Sequence, residues 1–327
     1  MKKIIDQFAN KKVLVIGDLV LDEYWFGNIG RVSREAPVLI LNYDSKEHSL
    51  GGAANALNNI AALGAEVFPI SAIGDDESSA TLFKIFKKIK INTQGIIKEN
   101  YLHTPTKIRF MAGCLHTAKQ QVLRVDKESQ EKLKRTTELQ LIENFKKILP
   151  KVDAVLISDY GIGNLSPLVI EFLNEQALVK KVPFVLDSRY NLSAYKNITL
   201  AAPNEEEAAS TLNKLVITED TVFNDTKNLE KILNANAGLI TLGKEGMALT
   251  VNDKNIKIDA VGSKDCVDVT GAGDTVCGVL TLALAANAGI EVACRLANAA
   301  ASQVVMQRGT ATVSYHNISK LIDKYLT

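Results

Sequence analysis

Cysteine and histidine are scarce in this sequence, with four of each in 327 residues. Cys114, Cys266, Cys277 and Cys294 show no CxxC spacing, and His48, His103, His116 and His316 form no HExxH or HxH pair. A disulfide framework and a protein-ligated zinc centre are therefore not expected, and the chain reads as reduced and cytoplasmic. An excess of charge is also missing. Thirty-eight Lys and Arg against 37 Asp and Glu give a formal charge of +1. That balance argues against a nucleic-acid binder, a polybasic membrane anchor or an acidic tail. No apolar run reaches the ~18–20 residues that span a bilayer. The most apolar stretch, 276–290, is interrupted by Gly278, Thr281 and Asn287. The opening MKKIIDQFANKK lacks the apolar centre of a secretory signal. No GxxxxGK[ST] loop occurs, which excludes a P-loop kinase, and no repeat or low-complexity linker is visible.

What is present is alternation. Short apolar segments, VLVIG (13–17), VFPISA (67–72), AVLIS (154–158), PFVLD (183–187), ITLAA (198–202) and GLITL (238–242), read as strands. Between them, residues 53–63, 78–90, 167–180, 205–213 and 226–236 carry helical spacing. All-apolar strands alternating with amphipathic helices predict an α/β fold with a mostly parallel sheet covered on both faces. Residues 31–48 and 100–126 break the rule with half-polar strands (VLILN, KIRFM, QQVLRVD), as a small sheet with one wet face would. We expect one α/β domain over residues 1–327, carrying these strands as a β lid. A hairpin is expected at 247–259 and helix from 272 to 307.

The strongest chemical signal is DVTGAGDTVCGVL, 268–280. Gly271, Ala272 and Gly273 open an apolar helix, and their amides suit an anion. An acid at such a place is anomalous for a permanent anion. It is reasonable if Asp274 takes a proton from an incoming hydroxyl while the amides hold a phosphoryl group in transfer. The plainer alternative makes Asp274 the helix cap. GDLVLD (17–22) puts two acids past the first strand, where open sheets bind ligands, and Asp22 suits two sugar hydroxyls. Gly51 and Gly52 permit close backbone approach, and Asn55 offers a donor and an acceptor. In PNEEEA, Asn204 and Glu207 either cap a helix or hold a hydrated Mg²⁺. TLGKEG, with Thr241, Gly243 and Gly246, is either a turn or a nucleotide approach. Lys107 and Arg109 share one strand face, and Arg124 lies on the neighbouring lid strand. They are either edge charges or a cradle for a substrate phosphate, with Arg109 as its first contact.

These motifs, in this order, resemble the ribokinase/PfkB carbohydrate kinases over roughly residues 10–320. DVTGAGDT resembles that family's C-terminal signature, GGAAN with the following A-x-LG its N-terminal one, NEEE its N-x-x-E motif, TLGKEG its nucleotide loop, and ANAAAS (297–302) its adenine-side helix. The resemblance implies a ribokinase-like three-layer α/β/α fold and an ATP- and Mg²⁺-dependent sugar kinase. It implies Asp274 as base and 271–273 as anion hole. Asp22, Gly51, Gly52 and Asn55 would hold the sugar. Asn204 and Glu207 would organise Mg²⁺ and phosphate. Thr241, Gly243, Gly246 and Asn298 would hold the nucleotide. It further implies a homodimer through the lid, and raises a monovalent cation near Asp268 and the 304–310 backbone. Within the family, VLVIGDLVLDEYWFG, RVSREAPVLIL, LISDYGIG and ANAAASQVVMQRGTATVS are most similar to the heptose 7-phosphate kinases. That implies D-glycero-β-D-manno-heptose 7-phosphate as substrate, phosphorylated at its 1-hydroxyl. The HxGH motif of an attached nucleotidyltransferase does not occur. Ile162 replaces the lysine of S-D-Y-x-K-G, Ser188 the proline of D-P-K/R, and GCLHTAK (113–119) departs from the pattern. A kinase for a free sugar, such as fructokinase or ribokinase, is the rival reading, followed by a silent sugar or nucleotide sensor. A nicotinamide-dependent oxidoreductase is disfavoured, because G-D-L-V-L-D would set carboxylates against a pyrophosphate.

Overall fold

Val13, Leu14, Val15 and Ile16 are all buried, yet they feed two different cores. Side chains alternate along a strand. Val13 and Val15 therefore enter one apolar cluster, and Leu14 and Ile16 the other. This division explains why the strands read as unbroken apolar runs: the sheet is covered on both faces. The computed structural model describes residues 1–113, 119–179, 181–262, 266–307 and 309–325. Most of the GCLHTAK segment, with Cys114 and His116, thus lies outside the described residues.

Six parallel strands form the central sheet. They are β1 (Lys12–Gly17), β4 (Glu66–Gly74), β5 (Ile96–Glu99), β8 (Ala154–Asp159), β9 (Phe184–Ser188) and β10 (Leu200–Ala201), in the order β10-β9-β8-β1-β4-β5. A bridge from Asn204 to Thr241 extends it toward an antiparallel sheet of β11 (Gly238–Thr241), β12 (Met247–Val251) and β13 (Lys254–Ile258). The helices are α1 (Lys2–Ile5), α2 (Ala53–Ala62), α3 (Glu77–Lys88), α4 (Arg135–Ile148), α5 (Pro167–Val179), α6 (Glu205–Thr211), α7 (Val222–Leu233), α8 (Ala272–Ala285), α9 (Ile290–Val304) and α10 (Tyr315–Tyr325). Leu57 of α2, Phe86 of α3, Val279 of α8, Leu296 of α9 and Ile318 of α10 pack on one face. Phe145 of α4, Leu173 of α5, Ala208 of α6 and Leu229 of α7 pack on the other. The helical stretch 272–307 is two helices, α8 and α9, broken where Asn287 turns left-handed (φ 59°).

The lid is a four-stranded sheet of β2 (Leu19–Val32), β3 (Leu39–Gly52), β6 (Thr106–Gly113) and β7 (Gln120–Lys127), in the order β3-β2-β6-β7. Its first hairpin is longer than 31–48, because β2 starts only two residues after β1 ends. Asp22 consequently stands on a lid strand, opposite Ser49 and Lys107, and not on a loop beyond β1. Irregular pairing at Phe26/Gly27 and Ile29/Arg31 bends the long hairpin. Among the described residues, no helix is long and apolar enough to cross a membrane.

Candidate active site

Gly271 opens α8 in the left-handed conformation (φ 79°), and no side chain caps the helix. Asp274 sits in the first turn, 4% exposed. Its carboxylate is engaged by other segments: Asn55 Nδ2 donates to Oδ2 at 2.7 Å, and the Tyr160 hydroxyl donates to Oδ1 at 2.6 Å. The capping alternative for Asp274 is therefore not realised. Asn55 lies on α2, where Asn59 Nδ2 donates to its carbonyl and Thr275 Oγ donates to Asn59 Oδ1. α2 and α8 are thus tied together around one carboxylate. A Cβ on Gly271 would lie 2.5 Å from Asn55 Nδ2, so the glycine is required by both its dihedral and its neighbour. Burial pushes Asp274 up to about 6; the bonds from Tyr160 and Asn55 pull it back, and Asp22 adds to the rise.

Tyr160 was quoted in the sequence only as part of a motif. It follows β8 on a loop gripped by Asp18, which accepts from the backbone N–H groups of Tyr160, Ile162 and Asn164 at 2.9, 3.1 and 3.2 Å. Asp18 is fully buried, and burial with Asp159 nearby pushes it to about 6. The position of the missing family lysine, Ile162, thus serves this grip through its amide. Ser188, in place of proline, donates its hydroxyl to Asp159.

A cavity of about 130 Å³ opens beside Asp274, lined also by Asp187, Arg189, Asn204, Glu207 and Gly273. Asp187 and Arg189 were not among the expected site residues. Their signal was position, since both flank the C-terminal end of β9 on the binding edge of the sheet. Asn204 and Glu207 form a reciprocal capping box at α6, each side chain accepting the other's N–H at 2.9 Å. The helix-start reading of PNEEEA is therefore real, although Glu207 also faces the cavity. Burial raises Glu207, and raises Asp187 well above the usual range, with Asp274 and Glu207 adding to the latter. Mutually destabilised carboxylates fit a divalent cation held through water and phosphate oxygens. Among the described residues no cluster of three His, Cys, Asp or Glu suits direct ligation.

Beyond Gly273 and Thr241, which line both, lies a larger and mostly apolar cleft of about 420 Å³. Gly243, Gly246, Val276, Asn298 and Val305 line it. The TLGKEG segment is the turn joining β11 to β12, and Gly243 and Gly246 of that turn line the cleft. Asn298 donates to the Asp259 carbonyl. Nothing lies within 4 Å of a Cβ built on Gly273, which therefore faces open space between the two cavities.

On the lid side, Arg109 is ion-paired with Asp22 and lies over the Tyr24 ring. Arg124 is opposite Arg109 in register but binds Asp126 through two bonds of 2.8 and 2.7 Å. Lys107 places its ammonium 5.4 Å from the Tyr160 ring centre. The expected cluster of three cations is thus divided: two are held by lid carboxylates and one faces the site. Arg31 and Arg34 are exposed at the far end of the hairpin. A Cβ on Gly51 would lie 2.6 Å from Asp22 Oδ2, and Gly52 leads directly into α2. Asp268, suggested for a monovalent cation, accepts the N–H groups of Thr270 and Gly309, both at 2.9 Å. Arg308 lies outside the described residues.

A buried acid at a helix N-terminus, set between a polar cavity, an apolar cleft and a lid, defines a group-transfer site on an α/β sheet. Residues 10–317 match the family model described as pfkB family carbohydrate kinase. The chain belongs to the pfkB family of carbohydrate kinases. It is 36% identical over 307 residues to the bifunctional protein HldE of Aliarcobacter butzleri, covering 94% of this chain and 63% of that one. It is 37% identical over 313 residues to HldE of Campylobacter concisus, covering 95% and 64%. The chain therefore spans slightly less than two thirds of these relatives. Its fold, a ribokinase-like one, is similar to Arabidopsis thaliana ribokinase complexed with ribose and ATP (TM-score 0.73, 18% identity, 95% and 98% of the chains covered). It is likewise similar to Escherichia coli phosphofructokinase-2 in complex with fructose-6-phosphate (TM-score 0.77, 19% identity, 97% and 100% covered).

Proposed function

We propose that this kinase transfers the γ-phosphoryl group of ATP to the 1-hydroxyl of a heptose 7-phosphate, with Asp274 as general base. The observation that carries the base assignment is the carboxylate of Asp274, buried, raised to about 6, and adjacent to open space over Gly273. A base with that pKa is ionised at neutral pH and still a useful proton acceptor. The apolar cleft suits an adenine, with Asn298 at its edge, and Thr241, Gly243 and Gly246 allow the triphosphate to approach. The amides of 271–273 at the start of α8 face the charge that develops on the transferring group. Mg²⁺, when bound, neutralises phosphate charge; Glu207 and Asn204 are the residues that would organise it. Asp22, with Gly51, Gly52 and Asn55 beside it, orients the sugar hydroxyls. Positioning and electrostatics supply most of the acceleration in such transfers.

The heptose assignment is supported by the motif resemblance and by the HldE relatives. The lid supplies the positive charge a sugar phosphate needs. Arg109, held by Asp22 here, is placed to exchange that partner for the substrate phosphate, and Arg124 lies beside it. Val32, Leu39, Tyr43 and Leu123 of the lid are about half exposed or more. A second copy covering them would form a homodimer. The deciding experiment is ATP consumption over sugar phosphates and free sugars. A heptose 7-phosphate should be the preferred acceptor, and Arg109→Ala should raise its KM strongly while leaving that of ATP little changed. If a free hexose or pentose is phosphorylated as efficiently as any sugar phosphate, the heptose reading fails and a free-sugar kinase replaces it.

A further inference from the structure

The Tyr160 side chain meets both Asp274 and a residue of the lid. Its hydroxyl donates to Asp274 Oδ1 at 2.6 Å. Two cations approach its ring, Lys107 of β6 at 5.4 Å from the centroid and Arg189 beyond β9 at 5.9 Å. Among the described residues neither cation forms a contact ion pair; Lys107 is also attracted by Asp22, and Arg189 by Asp187 and Glu207. The segment behind the ring is fixed. Three consecutive grips on Asp18 hold the amides of Tyr160, Ile162 and Asn164, and Gly161 N–H donates to Asp159 Oδ1 at 2.9 Å. The hydroxyl direction is therefore determined by the fold and not by the substrate.

We propose that Tyr160 is a positioning residue for phosphoryl transfer: its hydroxyl aims and holds the Asp274 carboxylate, and its ring seats the lid through Lys107. This rests on the assignment of Asp274 as the base. With Asn55 on one oxygen and Tyr160 on the other, the carboxylate plane is held against rotation, and Asp274 lines the cavity. Both donors also favour the ionised form, and Tyr160 is the foremost group opposing the effect of burial. The other charged or titratable groups facing Asp274 are Asp22 from β2, Lys107 from β6, Asp187 and Arg189 at the end of β9, Glu207 from α6, and Cys277 from α8 itself. Among the described residues, the hydrogen bonds to the Asp274 carboxylate come from Asn55 and Tyr160.

The two functions separate by substitution. Tyr160→Phe keeps the ring and removes the hydroxyl. It should lower kcat by about ten- to a hundredfold, the worth of a hydrogen bond to a charged group. It should leave the sugar KM within about twofold, and move the acid limb of kcat/KM to higher pH by about one pH unit. Tyr160→Leu should add a raised sugar KM, and Lys107→Met should raise the sugar KM while moving the acid limb upward by less than Tyr160→Phe does, because Lys107 lowers the Asp274 pKa less than Tyr160 does. A Tyr160→Phe enzyme with unchanged kcat and an unmoved limb overturns the proposal. So does a loss that is uniform across pH and appears in KM. Asp274→Asn, assayed in parallel, isolates the underlying assignment: appreciable turnover there refutes the base. Carbon-13 titration of the Asp274 carboxyl in wild type and Tyr160→Phe then reads the contact directly. An upward shift in the variant supports the proposal, and an unchanged midpoint overturns it whatever the base proves to be.

Discussion

Asn55 and Asp274 are 219 residues apart in the chain, and the amide of one donates to the carboxylate of the other at 2.7 Å. The bond joins the helix that follows the lid hairpin to the helix whose N-terminus faces the phosphoryl site. Under the proposed assignment, a sugar held near Asn55 would be brought within reach of Asp274 by the same contact that fixes its carboxylate. Gly271 makes the approach possible, because any side chain there would displace the Asn55 amide.

Asp274→Asn removes the proton acceptor and retains its size. Loss of a general base typically lowers the rate by ~10²–10⁴-fold. We expect kcat to fall in that range while calorimetry shows ATP and sugar still bound; turnover within about tenfold of wild type would reject the assignment. The same substitution has a stability consequence with a definite sign. The folded carboxyl is raised from 3.8 to about 6, so between those values the folded state holds a proton that the unfolded state has lost. Stability from this group therefore falls as pH rises through that window, and the buried charge is a burden at neutral pH. Asp274→Asn should raise Tm over wild type at pH 7.5, and the gain should shrink as pH is lowered toward 4. A Tm difference that ignores pH would show that the carboxyl is not perturbed in this way.

Glu207→Gln preserves an oxygen to accept the Asn204 N–H, so the capping box at α6 persists. Folding should be intact. We expect the Mg²⁺ concentration for half-maximal rate to rise and sugar affinity to remain near wild type. An unaltered Mg²⁺ titration would leave Glu207 with its capping role alone.

The two glycines of the GAG turn should fail differently. Gly271→Ala forces a side chain into a left-handed backbone, at about 1–2 kcal/mol, and into Asn55. It should lower both Tm and kcat. In Gly273→Ala the new methyl meets no protein atom within 4 Å. Tm should stay near wild type while kcat falls and the KM for ATP rises, because the methyl occupies the passage between the two cavities. Wild-type kinetics in Gly273→Ala would remove this turn from the phosphoryl path.

Patterning in the sequence determined the alternating strands and helices, the two-faced sheet, the half-polar lid strands and the GAGD turn, because each follows from local periodicity or backbone freedom. Asp22, Asn55, Glu207 and Asp274 were visible for the same reason: each stands beside a glycine turn, a strand end or a helix start. Partnership was not visible. The bonds Asp274 makes with Asn55 and Tyr160, the hold of Asp22 on Arg109, and the grip of Asp18 on the 160–164 amides join segments remote in the chain. Only packing of α2 against α8, and of the lid on the sheet edge, places them together. Lys107, Arg109 and Arg124 show the difference most clearly. Strand periodicity put Lys107 and Arg109 on one face with Arg124 on the neighbouring strand, but the tertiary structure paired Arg109 with Asp22 and Arg124 with Asp126, leaving Lys107 over Tyr160. Which cation faces the substrate depends on the charges that other strands bring near it, and local sequence does not contain that information.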